Sequence, residues 1–134
     1  MMREVLEYLK ECGVFFIAAD EGGRPGLAPF SEVCGFEGHI YIMAEKDTDT
    51  YRQLKASPLI AIGAVHPDKS WIRISGRLTE DDREAPRRAM QESCRDTLTN
   101  VEVKEDSAMT VFRLEAAHAE VQEAIGKRRS WDLP

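Results

Sequence analysis

The stretch DTDTYRQLKASPLIAIGAVHPDKSWIRISG, residues 47–76, carries the reading from which the fold follows. Asp47, Thr48 or Asp49 can cap a short helix that holds Tyr51, Arg52 and Leu54. Pro58 ends that helix, and Leu59 to Val65 is an extended run apolar on both faces. His66-Pro67-Asp68-Lys69 reads as a turn. Beyond it the chain alternates cleanly: Trp71, Arg73, Ser75 and Arg77 point one way, Ile72, Ile74, Gly76 and Leu78 the other. An antiparallel strand with one core face needs aliphatic residues on that face only. An aromatic ring and guanidinium groups on the second face are costly in a core and useful in a ligand groove or a subunit interface.

On the N-terminal side, residues 3–12 predict a helix, with Val5, Leu6, Leu9 and Cys12 as its apolar stripe and Gly13 as its stop. Residues 14–19, VFFIAA, predict a buried central strand apolar on both faces, followed by a turn at Asp20-Glu21-Gly22-Gly23. Residues 25–36 read as extended but interrupted at Pro29, which cannot donate to a ladder. Glu37-Gly38 is a second hairpin turn before a strand over 39–44, with Ile40 and Ile42 on one face and Tyr41 and Met43 on the other. On the C-terminal side, Asp81-Asp82 opens a helix that runs to about Cys94, and residues 97–107 read as a polar loop. Residues 109–114 and 117–121 read as the last two strands and residues 126–134 as a tail. The order is not βαβ. About six strands in hairpin-like pairs with two or three helices predict a mainly β, α+β chain: an antiparallel β-barrel with peripheral helices packed outside.

At 134 residues the chain has the length of one domain, 1–134. Its 43% apolar and 31% charged residues are those of an ordinary globular protein, and no apolar run approaches the roughly 20 residues of a membrane span. A charged, amphipathic N-terminus and three widely spaced cysteines predict a cytoplasmic protein with reduced thiols. The net charge of −6 argues against nucleic acid, whose binding needs a basic footprint; the only basic cluster is Lys127-Arg128-Arg129. His39, His66 and His118 stand singly, so no metal site is expected, and no cysteine has a histidine partner nearby in sequence. Gly22-Gly23 lacks the strand-turn-helix context of a phosphate loop.

Four segments together carry a family likeness: GGRPGLAPF (Gly22 to Phe30), GHIYI (Gly38 to Ile42), DTDTYRQLKASPLIAI (Asp47 to Ile62) and WIRISGRLTEDDRE (Trp71 to Glu84). With the strands near the C-terminus they span nearly the whole chain. The chain resembles the pyridoxamine 5′-phosphate oxidase-like family of flavin-mononucleotide-binding split β-barrels, in its short bacterial members. The resemblance implies a homodimer with flavin mononucleotide (FMN) in a groove between the subunits, a small-molecule redox partner and an oxidoreductase-like role. It implies no nucleic acid and no membrane. It places the cofactor near Pro29 and Phe30, whose backbone would face the flavin ring, and near Lys46, Thr48, Tyr51 and Arg52 around the helix start, where the phosphate would sit. Trp71 and Arg73 would meet the ring edge or the phosphate.

Each of these residues also has a structural reading: Trp71 and Arg73 as an interface pair, Phe30 as a core ring, Lys46 as a solvated loop residue, Tyr51 as an inward-packing one. Ala28 stands where many relatives carry an arginine before the Pro-Phe pair, and Asp47 sits in a segment that is usually basic. Losing two charge-assisted contacts to a phosphate predicts binding weaker by roughly a hundredfold. The alternative is a flavin-free split-barrel dimer that binds another small molecule as a sensor or storage module.

Overall fold

The computed structural model describes residues 2–94 and 109–134, and the loop expected over 97–107 lies outside them. Helix α1 (Met2–Cys12) buries Val5, Leu6, Tyr8 and Leu9 and ends at Gly13. Strands β1 (Phe15–Glu21) and β2 (Arg24–Phe30) form a hairpin whose two-residue turn sets Gly22 and Gly23 at φ 61° and 87°. Paired left-handed residues match the twist of the flanking strands, and glycine adopts them without strain. Strands β3 (Val33–Phe36) and β4 (His39–Glu45) make a second hairpin, followed by helix α2 (Asp49–Ala56). Strands β5 (Leu59–Val65) and β6 (Trp71–Asp81) make a third, followed by helix α3 (Glu84–Ser93). The long β7 (Met109–Gln122) and β8 (Arg128–Leu133) complete the chain.

All pairings are antiparallel, in the order β2-β1-β5-β6-β7-β4-β3, with β8 also on β7. The sheet is not closed, and the result is an α+β split barrel. Ile17 of β1 and Val33 of β3, from opposite ends of that path, belong to one buried cluster with Ile62, Ile74 and Leu114. The sheet therefore curls around its own core. A second cluster, Cys34, Tyr41, Met90, Cys94, Met109 and Val111, forms where α3 covers the outside of β3 and β4.

The split has a local cause. Ser75 pairs with His118 but Arg77 pairs with Glu115, so Ala116 and Ala117 oppose the single Gly76. Ala116 has φ 47°, and a Cβ on Gly76 would lie 2.8 Å from that of Ala117. An extra residue of this kind bends a strand and sharpens its twist. The bulge falls where the far neighbour of β7 changes from β4 (Met109–Arg113) to β8 (Ala117–Gln122).

Several expectations change. The described residues form eight strands rather than about six, because the extended stretch over 25–36 divides into β2 and β3 and the tail over 126–134 supplies β8. The two strands expected over 109–121 are one, kinked at the bulge. Neither β1 nor β5 is buried on both faces: each alternates, because no helix covers the outside of the sheet there. Asp81 and Asp82 do not cap α3, whose N-cap position is Arg83 with no side-chain cap bond.

Asp81 is instead a buried carboxylate at the end of β6. It accepts hydrogen bonds from the Tyr41 hydroxyl at 2.8 Å and from Arg83 Nε at 3.0 Å, with the Arg113 guanidinium at 3.6 Å. The Arg83 guanidinium, joined by Tyr41 and opposed by burial, holds this carboxyl well below the usual carboxylate range. Because the folded value is depressed, the stabilisation is complete above the unfolded value of about 4 and is lost as pH falls toward the folded one. Urea unfolding should therefore show stability dropping below about pH 4, with a shallower drop in Asp81→Asn. At pH 7, Tyr41→Phe should lower stability by about 1–3 kcal/mol with the denaturant slope unchanged.

Candidate functional site

The outer face of the sheet is built by the ladder registers, which put directly opposed residues on the same side. One row across it reads Pro29, Phe16, Gly63, Arg73, Glu120, Ser130; the next reads Leu27, Ala18, Ala61, Ser75, His118, Asp132. Val65 and Trp71 are opposed in the row beyond. The apolar half of this face is open to solvent: Phe16 is 44% exposed, Leu27 68%, Val65 69% and Trp71 41%. Ala18, Ala61 and Gly63 form the floor of a trough, and the larger side chains form its walls. Its volume is about 780 Å³, and nothing lies within 4 Å of where a Cβ on Gly63 would stand.

The polar half adjoins the trough through Arg73. Its guanidinium lies 5.8 Å from the centre of the Trp71 ring and 3.1 Å from Glu120. Glu120 is 3.3 Å from His118 Nε2, and His118 Nδ1 is 2.7 Å from Asp132. The Asp132 carboxylate first, and Glu120 second, raise the His118 value above that of a free imidazole. Arg73 in turn lowers the Glu120 carboxyl. The strip is therefore a chain of alternating charges, with the single guanidinium at the apolar edge.

A smaller cavity of about 260 Å³ lies where the end of β2 meets the start of α2, lined among others by Pro29, Phe30, Glu32, Glu45, Thr48 and Thr50. Thr48 is the N-cap of α2: its hydroxyl accepts from the Tyr51 amide at 3.2 Å and donates to the Glu45 carbonyl at 2.6 Å. The Phe30 ring stacks on Phe15 with centroids 6.1 Å apart and packs against the core.

Eight residues were expected at a cofactor site, and they fall into three places. Trp71 and Arg73 edge the trough, and Pro29, Phe30 and Thr48 line the smaller cavity. Pro29 is also the ladder partner of Phe16, so the two hollows adjoin. Lys46, Tyr51 and Arg52 line neither. Arg52 is ion-paired with Asp49. Tyr51 turns inward, edge-on to Phe112 at 5.9 Å, and donates to Glu80 at 2.9 Å. Thr110 and Lys55 bond the same carboxylate at 2.7 and 3.1 Å. Burial works against ionisation of Glu80, but these three partners outweigh it and lower its value. Tyr51 thus helps to fasten α2 to the sheet.

The trough residues Phe16, Ala61, Gly63 and Val65 were missed because their strands read as buried on both sides, and Leu27 because its stretch read only as an extended segment interrupted at Pro29. The small-large alternation of Ala61, Gly63 and Val65 opposite Phe16 was the available signal. The cysteine thiols offer no reactive group: burial, foremost, raises Cys12 and Cys34 to about 11 and Cys94 to about 12. Among the described residues no group of His, Cys, Asp and Glu is placed to hold a metal ion, and no helix is long and apolar enough to cross a membrane.

No family model matches the sequence, and no curated protein matches it. Solved structures do. A NimC/NimA family protein from Clostridium acetobutylicum is 28% identical, with a TM-score of 0.91 over 98% of this chain and 92% of that one. An FAD-binding protein from Mesorhizobium loti aligns at a TM-score of 0.65 and 16% identity, covering 92% and 96%. A protein of the pyridoxinephosphate oxidase family from Clostridium acetobutylicum, related to general stress protein 26 of B. subtilis, aligns at 0.67 and 12%, covering 98% and 93%. At their low identity the last two show the fold alone. All three share the split-barrel fold of this chain.

The two glycines of the β5–β6 hairpin separate site from scaffold. Gly63→Ala should leave stability within about 0.5 kcal/mol, since its side chain enters open space. Gly76→Ala should cost about 1–3 kcal/mol by forcing β6 off the β7 bulge, with thermal unfolding of both variants as the measurement.

Proposed function

We propose that this chain is a flavin-binding split-barrel protein that holds an isoalloxazine ring in the outer-face trough, at a surface shared with a second copy of itself. The observation that carries this reading is the trough: a volume of about 780 Å³ with a flat floor of Ala18, Ala61 and Gly63 under Phe16 and Trp71. That is within the usual size of a small-molecule site, and a planar aromatic ring is the shape that such a floor and walls accept. Arg73 stands where a polar ring edge would emerge. The flavin-related neighbours support the same choice of ligand.

The homodimer follows from the rest of the face. Contiguous exposed apolar side chains on this scale mark an interaction surface rather than a solvated one. A second copy laid over Leu27, Leu59 and Val65 would cover them and roof the trough. A bound flavin supplies the electron chemistry, and the protein supplies binding, orientation and electrostatics. The reading is thus an oxidoreductase-like role with a small-molecule redox partner, in the cytoplasm, where three free thiols stay reduced.

One observation favours a second reading, a flavin-free dimer that stores or senses another apolar molecule. Apart from Arg73 the side chains lining the trough are apolar or a thiol, so they offer few hydrogen bonds to the heteroatoms of a flavin. Titration of the purified protein with riboflavin and FMN, followed by flavin fluorescence, separates the two. The flavin reading expects saturable binding of at least one, weakened about ten-fold by Arg73→Ala and unchanged by Arg24→Ala. Binding of neither flavin, or equal losses in both variants, would displace the site. Sedimentation should find a dimer that Leu27→Asp converts to a monomer.

A further inference from the structure

We infer that the cavity at the start of α2 rejects a phosphate dianion, so that the ligand of the adjoining trough is an uncharged isoalloxazine of the riboflavin type rather than FMN. This rests on the flavin reading of the trough. The resemblance to FMN-binding barrels directs the phosphate to two segments, the one ahead of α2 and the one around Pro29 and Phe30. The fold does bring these segments together, and the hollow they form can be tested residue by residue.

The side chains in it have the wrong charge. Glu32 and Glu45 both line the cavity, and neither a lysine nor an arginine is among the described residues that do so. Ala28, at the expected arginine position, pairs with Ile17 on the core side of β2 and can reach nothing polar. Lys46 lies outside the lining, between Glu45 and Asp47 in sequence. The two cations on α2 are taken: Arg52 by Asp49, and Lys55 by Glu80 at 3.1 Å.

Donors at the helix start are in part committed as well. A phosphate at such a terminus binds through capping hydroxyls and the first backbone amides. Here the Thr48 hydroxyl has given its proton to the Glu45 carbonyl and has taken the Tyr51 amide. The Arg52 amide goes to the Thr48 carbonyl at 3.3 Å. Asp49, in the first turn, already places a carboxylate at the positive end of the helix dipole. A dianion here would face carboxylates with few uncommitted donors. An uncharged ribityl hydroxyl meets no such repulsion and can donate to Glu45 or Glu32.

Two measurements on the full chain test this. In flavin titrations, riboflavin should bind about ten-fold or more tightly than FMN, with the gap narrowing as salt is raised. The double variant Glu45→Gln, Thr50→Lys, which puts a cation into the cavity and removes an anion, should shift the ratio of FMN to riboflavin affinity toward FMN by about ten-fold. Separately, inorganic phosphate added at constant ionic strength should give no saturable shift in the amide resonances of Glu45, Thr48, Thr50 and Tyr51. It should give one in the double variant. FMN binding as tightly as riboflavin or tighter overturns the inference, as does a saturable phosphate response at those amides in the wild type. If neither flavin binds, the trough reading fails, and the phosphate titration decides the cavity without it.

Discussion

The pairing of β6 with β5 on one side and β7 on the other is the constraint on which the rest of this molecule depends. Those two registers assign every residue of β6 to a face, and a slip of one position would move Ile72, Ile74 and Leu78 out of the core and Trp71, Arg73 and Arg77 into it. Burying two guanidinium groups without partners costs far more than burying three aliphatic side chains returns, so the register has no near competitor. The same assignment passes to β5 and β1 through their ladders. This is how a trough comes to be assembled from two hairpins, β1–β2 and β5–β6, that are far apart in the chain.

Two carboxylates on adjacent residues of β6 then fasten the helices, and they do so in opposite directions. Glu80 gathers Tyr51 and Lys55 from α2 and Thr110 from β7. Asp81 gathers Tyr41 from β4 and Arg83 from the start of α3. Neighbouring strand residues point to opposite faces, so one strand end can anchor a helix on each side of the sheet. Asp81 is buried and Glu80 largely so, and each is multiply hydrogen-bonded, the condition under which a charge inside a fold stabilises rather than disrupts. Asp81, which with Asp82 looked like a helix cap in sequence, is part of the barrel's clasp.

The candidate site shows a division of labour between shape and charge. The trough is nearly free of charge, floored by small residues, and framed by rings. The cavity next to it is small, acidic and already supplied with its own hydrogen-bond partners. A barrel that held a nucleotide by its phosphate would need the reverse arrangement at the second hollow. The ligand preference proposed for this chain therefore comes from two neighbouring surfaces acting together, one attracting a flat ring and the other repelling an anion.

The alternation over Trp71–Leu78, the breaks at Pro58 and at Gly22-Gly23, and the amphipathic stripe of α1 were all legible in the chain, because each depends on neighbours within a turn or a strand. So was an antiparallel barrel with outside helices, from the order of elements, while the split came from the family resemblance. The eighth strand was not legible. Residues 128–133 are charged and polar, and they become a strand only because the β7 bulge at Ala116 leaves an edge for them to pair with. Nor was the trough, since an apolar run such as Leu59–Val65 looks the same whether a helix covers its second face or nothing does. By itself the sequence determined the helices, the turns and the greasy side of a strand that alternates as β6 does, for those are properties of local stereochemistry and solvation. Only the tertiary structure decided which apolar faces were left uncovered and which cations were already spoken for, because both depend on what the rest of the chain brings within reach.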